Sequence, residues 1–159
     1  MRPFHLSGFQ TRLAARLLTW SAGSILSGLL LALSRRPLWR GLGHQFAGWG
    51  LIDGLIGWFG LRGARQALPG SSNLAEEQSL MERRASTLER VLAINTALDL
   101  LYLAGGLNLL RRRGRQDSYW RGAGLGILVQ AAFLFGFDLY HWRVIKTTHQ
   151  PGRVHDVHL

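Results

Sequence analysis

Apolar residues fill this chain in four long stretches almost free of charge, separated by arginine-rich connections. The gaps from Arg16 to Arg35, Arg40 to Arg62, Arg90 to Arg111 and Arg121 to Arg143 hold 18, 21, 20 and 21 residues, and their only formally charged members are Asp53, Asp99 and Asp138. About 20 residues of α-helix cross the hydrocarbon core of a bilayer. The pattern therefore predicts four transmembrane helices, over about 17–34, 41–61, 91–110 and 122–142. A water-soluble four-helix bundle is the alternative, but its helices must show water a polar face, and four successive stretches lack one. The expected fold class is all-α: a four-transmembrane-helix bundle forming a single membrane domain over 1–159.

The punctuation agrees with this reading. Pro3, Pro37, Pro69 and Pro151 all fall outside the gaps, and Trp39, Trp120 and Trp142 sit at gap edges, where an indole prefers the membrane interface. Leu6, Phe9, Leu13 and Leu17 recur at helical spacing, predicting an amphipathic lead-in helix over about 6–16 that lies in the interface. In the long connection, Pro69-Gly70-Ser71-Ser72 predicts a turn and Asn73 with Glu76 an N-cap. Leu74, Met81 and Leu88 then stripe a second amphipathic helix over about 73–90 that runs into the third span. The N-terminus resembles the first two regions of a signal peptide, but its apolar run is long and Leu31-Ala32-Leu33 is a poor cleavage site, so the segment reads as a retained span.

Two internal echoes suggest tandem helical hairpins. Gln45 and Asp53 are eight residues apart in the second gap, as are Gln130 and Asp138 in the fourth; Ser27-Gly28-Leu29 before Arg35-Arg36 echoes Gly105-Gly106-Leu107 before Arg111-Arg112. Such hairpins would be related by an axis along the membrane normal. Gly50 with Gly54, Gly122 with Gly126, and Ser24 with Gly28 are small-xxx-small pairs, read as packing within the bundle ahead of contacts in a homo-oligomer or with a membrane protein partner.

Composition narrows the function classes. Mean hydropathy is only +0.06 because apolar gaps are averaged with basic connections, and the net charge is +10. The arginines cap the gaps, which suits a lipid bilayer with anionic headgroups better than nucleic acid. There is no cysteine, which excludes disulfides and thiolate chemistry. No catalytic triad, phosphate loop or dinucleotide fingerprint is legible, so neither an enzyme nor a cofactor is expected. His149, His155, Asp156 and His158 are read as a solvated tail in preference to a metal site.

The stretches His44–Gly50, Ile94–Asp99 through Tyr102–Gly106, and Gln130–Asp138 resemble a family of small bacterial four-helix integral membrane proteins of unknown function. The Asn-x3-Asp-x2-Tyr-x2-Gly-Gly element at 95–106 is the most specific part of the likeness, which covers roughly residues 9–142. The resemblance implies a bacterial membrane protein and no known activity. An acid at Asp53 departs from the asparagine-type residue of the family pattern.

The intramembrane acids are the chemistry to explain. All three lie in the half of the bilayer nearer the termini, and no Lys or Arg lies in any gap to neutralise them. A central Asp costs about 2.5–3.5 kcal/mol on insertion scales, against about 0.3–0.6 gained by each Leu or Phe. The acids must face the bundle interior, where they are protonated, hydrogen-bonded or holding a cation. Asn95, Asp99 and Tyr102 stripe the third span; Gln45 shares a face with Asp53, and Gln130 and His141 one with Asp138. The favoured expectation is a structural or interaction role, with these polar groups locking the helices. The alternative is a small proton- or cation-coupled transporter or channel using the acids. Both termini are expected on one side, the cytoplasmic one, of a bacterial cell membrane: 11 basic residues fall on that side and eight on the other.

Overall fold

Short connections with cap-forming residues set the helix boundaries. Ser34 Oγ accepts the Arg36 amide at 3.2 Å, and Pro37 opens the next helix at a first-turn position where no amide hydrogen is needed. Asp117 caps the last helix, its Oδ1 accepting from the Tyr119 amide at 2.7 Å. A computed structural model describes residues 6–66 and 74–149. It contains α1 (Leu6–Ala32), α2 (Pro37–Gln66), α3 (Leu74–Arg112) and α4 (Ser118–His149), with no strand among the described residues.

Three of these helices, α1, α3 and α4, are long and apolar enough to cross a membrane, not the expected four. The exception is α2, which is long enough at 30 residues, or about 45 Å at 1.5 Å per residue. Its composition lowers its hydropathy: eight glycines, Trp39, Trp49 and Trp58, and His44, Gln45 and Asp53 replace long aliphatic side chains.

The first amphipathic segment is not a separate interfacial helix. Residues 6–16 are the first turns of α1, and the 73–90 segment is continuous with α3 from Leu74. Their apolar stripes meet: Leu6 and Phe9 are buried with Ala85, Leu92 and Ile145, and Leu13, Met81, Leu88 and Trp142 pack around them. This cluster closes the end of the bundle where α1 and α3 begin and α4 finishes, here called the terminal end. The Asn73 cap, the Pro69–Ser72 turn and the tail from residue 150 lie outside the described residues.

Close backbone approach joins α1 to α2, α3 to α4 and α2 to α4. At the opposite, hairpin end, α2 and α4 touch without intervening side chains. A Cβ at Gly41 would collide with Tyr119 O, and one at Gly122 would collide with Leu38 O. The reciprocity is that of a two-fold axis, and the sequence carries it: Trp39-Arg40-Gly41-Leu42-Gly43 matches Trp120-Arg121-Gly122-Ala123-Gly124, 81 positions on. Within each hairpin the next glycine repeats the device. Gly43 abuts Gly28 O and Ala32 N of α1, while Gly124 abuts Gly106 O and Leu110 N of α3, 78 positions on.

The echo of Gly28 and Gly106 is thus structural. The echo of Gln45–Asp53 in Gln130–Asp138, spaced 85 positions, is out of this register by four residues, about one helical turn, and relates residues in different environments. All three small-xxx-small pairs pack within the chain: Gly50 and Gly54 against Ser21, Gly122 and Gly126 against α2, and Gly28 against Gly43 with Ser24 hydrogen-bonded to Gln130.

Gly122→Ala should lower resistance to unfolding in mixed micelles by about 1–3 kcal/mol through overpacking against Leu38 O. Gly105→Ala, whose Cβ would meet nothing within 4 Å, should be neutral or slightly stabilising.

Candidate functional site

Beyond the glycine crossing, α2 and α4 leave a cavity of about 210 Å³ in the half nearer the terminal end. All four helices contribute: Leu17 from α1; Trp49, Ile52, Asp53 and Ile56 from α2; Asn95, Leu98, Asp99 and Tyr102 from α3; Leu134 and Asp138 from α4. The three acids therefore line one space. Each is buried, with 2% of Asp53, 3% of Asp99 and 7% of Asp138 exposed. Asn95 is the polar neighbour of Asp138 in the cavity wall. Asp53 Oδ2 and Asp99 Oδ2 are buried with no hydrogen-bond partner.

The electrostatics follow from that inventory. Asp99 lies close enough to both Asp53 and Asp138 for their charges to repel, and no basic residue lines the cavity. A carboxylate moved into such surroundings without a partner neutralises by taking a proton or recruits a cation. Among the described residues no group of three or more His, Cys, Asp or Glu could hold a metal ion. A compact carboxylate metal centre is thus not what these acids build.

A second space of about 420 Å³ shares Leu17, Ile56, Asn95 and Asp138 with the first and extends towards the terminal end. Gly57, Gly60 and Gly63 line its α2 side, Leu88, Val91 and Leu92 its α3 side, and Gln10 and Arg84 its far end. The acid cavity thereby adjoins a wider space, here called the vestibule, on the side of the chain termini.

The remaining polar residues singled out from sequence do not join this site. Gln130, fully buried, bridges helices by accepting from Trp20 Nε1 at 2.8 Å and donating to Ser24 Oγ at 3.1 Å. Gln45 lies under Gly126 at the α2–α4 crossing. His141 has Nδ1 2.7 Å from Phe137 O and Nε2 3.5 Å from Arg16 Nη1, so a proton on Nδ1 satisfies both contacts. Gln130 and His141 stand beside a different space, a groove of about 930 Å³ between α1 and α4 lined by Trp20, Phe133, Phe137, Tyr140 and Arg16 among others. Trp20 stacks on Phe133 there with centroids 3.6 Å apart. Helical spacing put Gln130, Asp138 and His141 near one side of α4. It could not show that neighbouring helices divide that side between a cleft and a groove.

Two lining features were not legible from sequence: the pairing of Tyr102, itself a candidate residue, with Trp49, and the glycines of the vestibule. Trp49 and Tyr102 meet across the α2–α3 cleft as a T-shaped pair, with centroids 4.8 Å apart. The vestibule glycines Gly60 and Gly63 were legible only as further members of a glycine-rich span.

A family profile matches residues 16–139, which include all three acids and the glycine crossings. The chain belongs to DUF6992, a family of unknown function. No curated protein and no solved structure matches it. The DUF6992 region ends two residues before His141 and so leaves the Arg16–His141 contact at its margin.

Replacing Gln130 by Leu should lower stability by about 1–2 kcal/mol, because Trp20 Nε1 and Ser24 Oγ lose their partner. Asp99→Leu should act in the opposite direction, removing an unpartnered buried oxygen and raising stability by about 1–3 kcal/mol in the same unfolding assay.

Proposed function

We propose that this is a multi-pass bacterial membrane protein whose acid cavity takes up a proton or a cation within the bilayer. The observation that carries this reading is the pair of unpartnered Oδ2 atoms on Asp53 and Asp99 in a cavity with no basic residue. Groups that lock helices end up hydrogen-bonded, as Gln130, Ser21 and Ser24 are. Asp53 and Asp99 hold a costly arrangement instead, which is the mark of a functional site. The ionisable groups facing them are Asp138 from α4 and Tyr102 from α3; α1 contributes only Leu17, and the nearest cation along the vestibule is Arg84.

In this reading α2 is the fourth span despite its low hydropathy. Its outward face carries Leu51, Ile52, Leu55, Ile56, Trp58 and Phe59, all about half exposed or more, which suits lipid and not water. Both termini are cytoplasmic, and the vestibule opens to that side. Passage to the other side requires the α2–α4 crossing at Gly41 and Gly122 to open, so uptake is one-sided in this conformation.

Reconstituted vesicles test the proposal. The wild-type protein should support a pH-dependent cation or proton flux, and Asp99→Asn should keep the fold and abolish it. Flux that is unchanged in Asp99→Asn would sink the reading.

A further inference from the structure

The acid cavity is open to the bilayer as well as to the vestibule. Ile52, Ile56, Leu98 and Tyr102 line it, yet they are 49%, 53%, 41% and 40% exposed, so its wall between α2 and α3 is a lateral opening. A ligand that partitions into lipid reaches Asp53 and Asp99 without passing Arg84.

The internal repeat supplies the shape of an occupant. By the 78- and 81-residue offsets, the α1–α4 groove and the α2–α3 cleft are counterparts. Trp20 corresponds to Leu98, Ser24 to Tyr102, Phe133 to Ile52 and Phe137 to Ile56, and all eight residues line their respective spaces. On the α1–α4 side Trp20 is stacked on Phe133 and tied to Gln130 at the wall of the larger groove. On the α2–α3 side the aliphatic Leu98 and Ile52 stand in place of that stacked pair, beside the acids. The cleft's polar groups include Asp53 and Asp99, each with one unpartnered carboxylate oxygen, and the Trp49–Tyr102 pair stands beside them. A bulky apolar body bearing positive charge satisfies all three features: carboxylates for the charge, aromatic rings beside it, and aliphatic walls for the body.

We propose that the α2–α3 cleft binds a lipophilic organic cation, admitted laterally from the bilayer and held by Asp53 and Asp99 beside the Trp49–Tyr102 pair. The proposal rests on the cation-site reading above and names its ligand class. Charge balances by exchange: each cation bound displaces one proton from an Asp53 or Asp99 carboxyl group to water. The vestibule past Asp138 and Asn95 supplies the aqueous path for that proton.

Purified protein in lipid nanodiscs, titrated with tetraphenylphosphonium by equilibrium dialysis, tests this. Saturable binding is expected, with about one proton released per cation bound, and it should weaken as pH falls. The D53N/D99N double variant should lose at least about 30-fold in affinity, the consequence of stripping charge from a buried pair. Leu98→Trp, which puts an indole in the cleft at the position that Trp20 holds in the counterpart groove, should abolish probe binding while leaving the acids in place. Equal binding by either variant, or no saturable binding by the wild type, overturns the proposal. Proton uptake after an acid jump without the probe separates the two levels. Uptake that exceeds that of the double variant, with no probe bound, removes the ligand class and leaves the cation site; absence of both removes both.

Discussion

Contact between bare backbones at Gly41 and Gly122 is the constraint on which the rest of this bundle depends. With no Cβ on either residue, α2 and α4 meet carbonyl to glycine at the hairpin end. A few residues on, Gly43 brings α1 close against α2, and Gly124, less tightly, brings α3 against α4. Small residues permit this because lipid offers no hydrophobic drive, and van der Waals contact must supply the association. The crossing also sets where space appears. The last close α2–α4 approach places Gln45 beneath Gly126, and the cavity begins at the next turns, with Trp49 and Leu134. Tightness at one end and room towards the other are two consequences of one contact.

Within that frame the polar side chains divide cleanly. Ser21 donates to Gly50 O at 2.6 Å, and Trp20, Gln130 and Ser24 form a closed chain of hydrogen bonds between α1 and α4. These groups satisfy one another at little cost. Asp53 and Asp99 retain unpartnered oxygens in a space without counter-charge, which folding alone does not favour. The repeat sharpens the contrast, because the same pair of helical faces carries an indole latch in one half and an acid cleft in the other. One scaffold, built twice, carries a stacked, hydrogen-bonded pair on one side and unpartnered acid oxygens on the other.

Arginine spacing displayed the helices because charge is expelled from an apolar core wherever the chain crosses it. The same logic could not rank α2, whose glycines and tryptophans serve close packing and lower its hydropathy together. That Asp53, Asp99 and Asp138 stand towards the same end of the bundle was readable from their distance to flanking arginines, and so was the company of Asn95 and Tyr102 on one helical face; all five line one cavity. The placement of Gln45, Gln130 and His141 was not, since helical spacing gives a direction on one helix but not the neighbour it meets. The repeat was visible in outline and misaligned by a turn in its second helix: matching acids suggested one register, whereas Trp39-Arg40-Gly41 and Trp120-Arg121-Gly122 carry the one that the backbone contacts use. The stripe at Leu6–Leu17 pointed to the membrane interface, whereas Leu6 and Phe9 are buried with Ala85, Leu92 and Ile145, and Met81 and Leu88 of the second stripe pack against the same cluster.

The central claim is that the acid cavity communicates with water on the side of the chain termini and is sealed at the hairpin end. The absence of cysteine makes this directly measurable, since a single introduced thiol is the only one present. Asn95→Cys, in the wall shared by cavity and vestibule, should react with a membrane-impermeant thiol reagent added on the side of the termini and remain unreactive to the same reagent added on the other. Labelling from the hairpin side alone, or from neither side, would contradict the account.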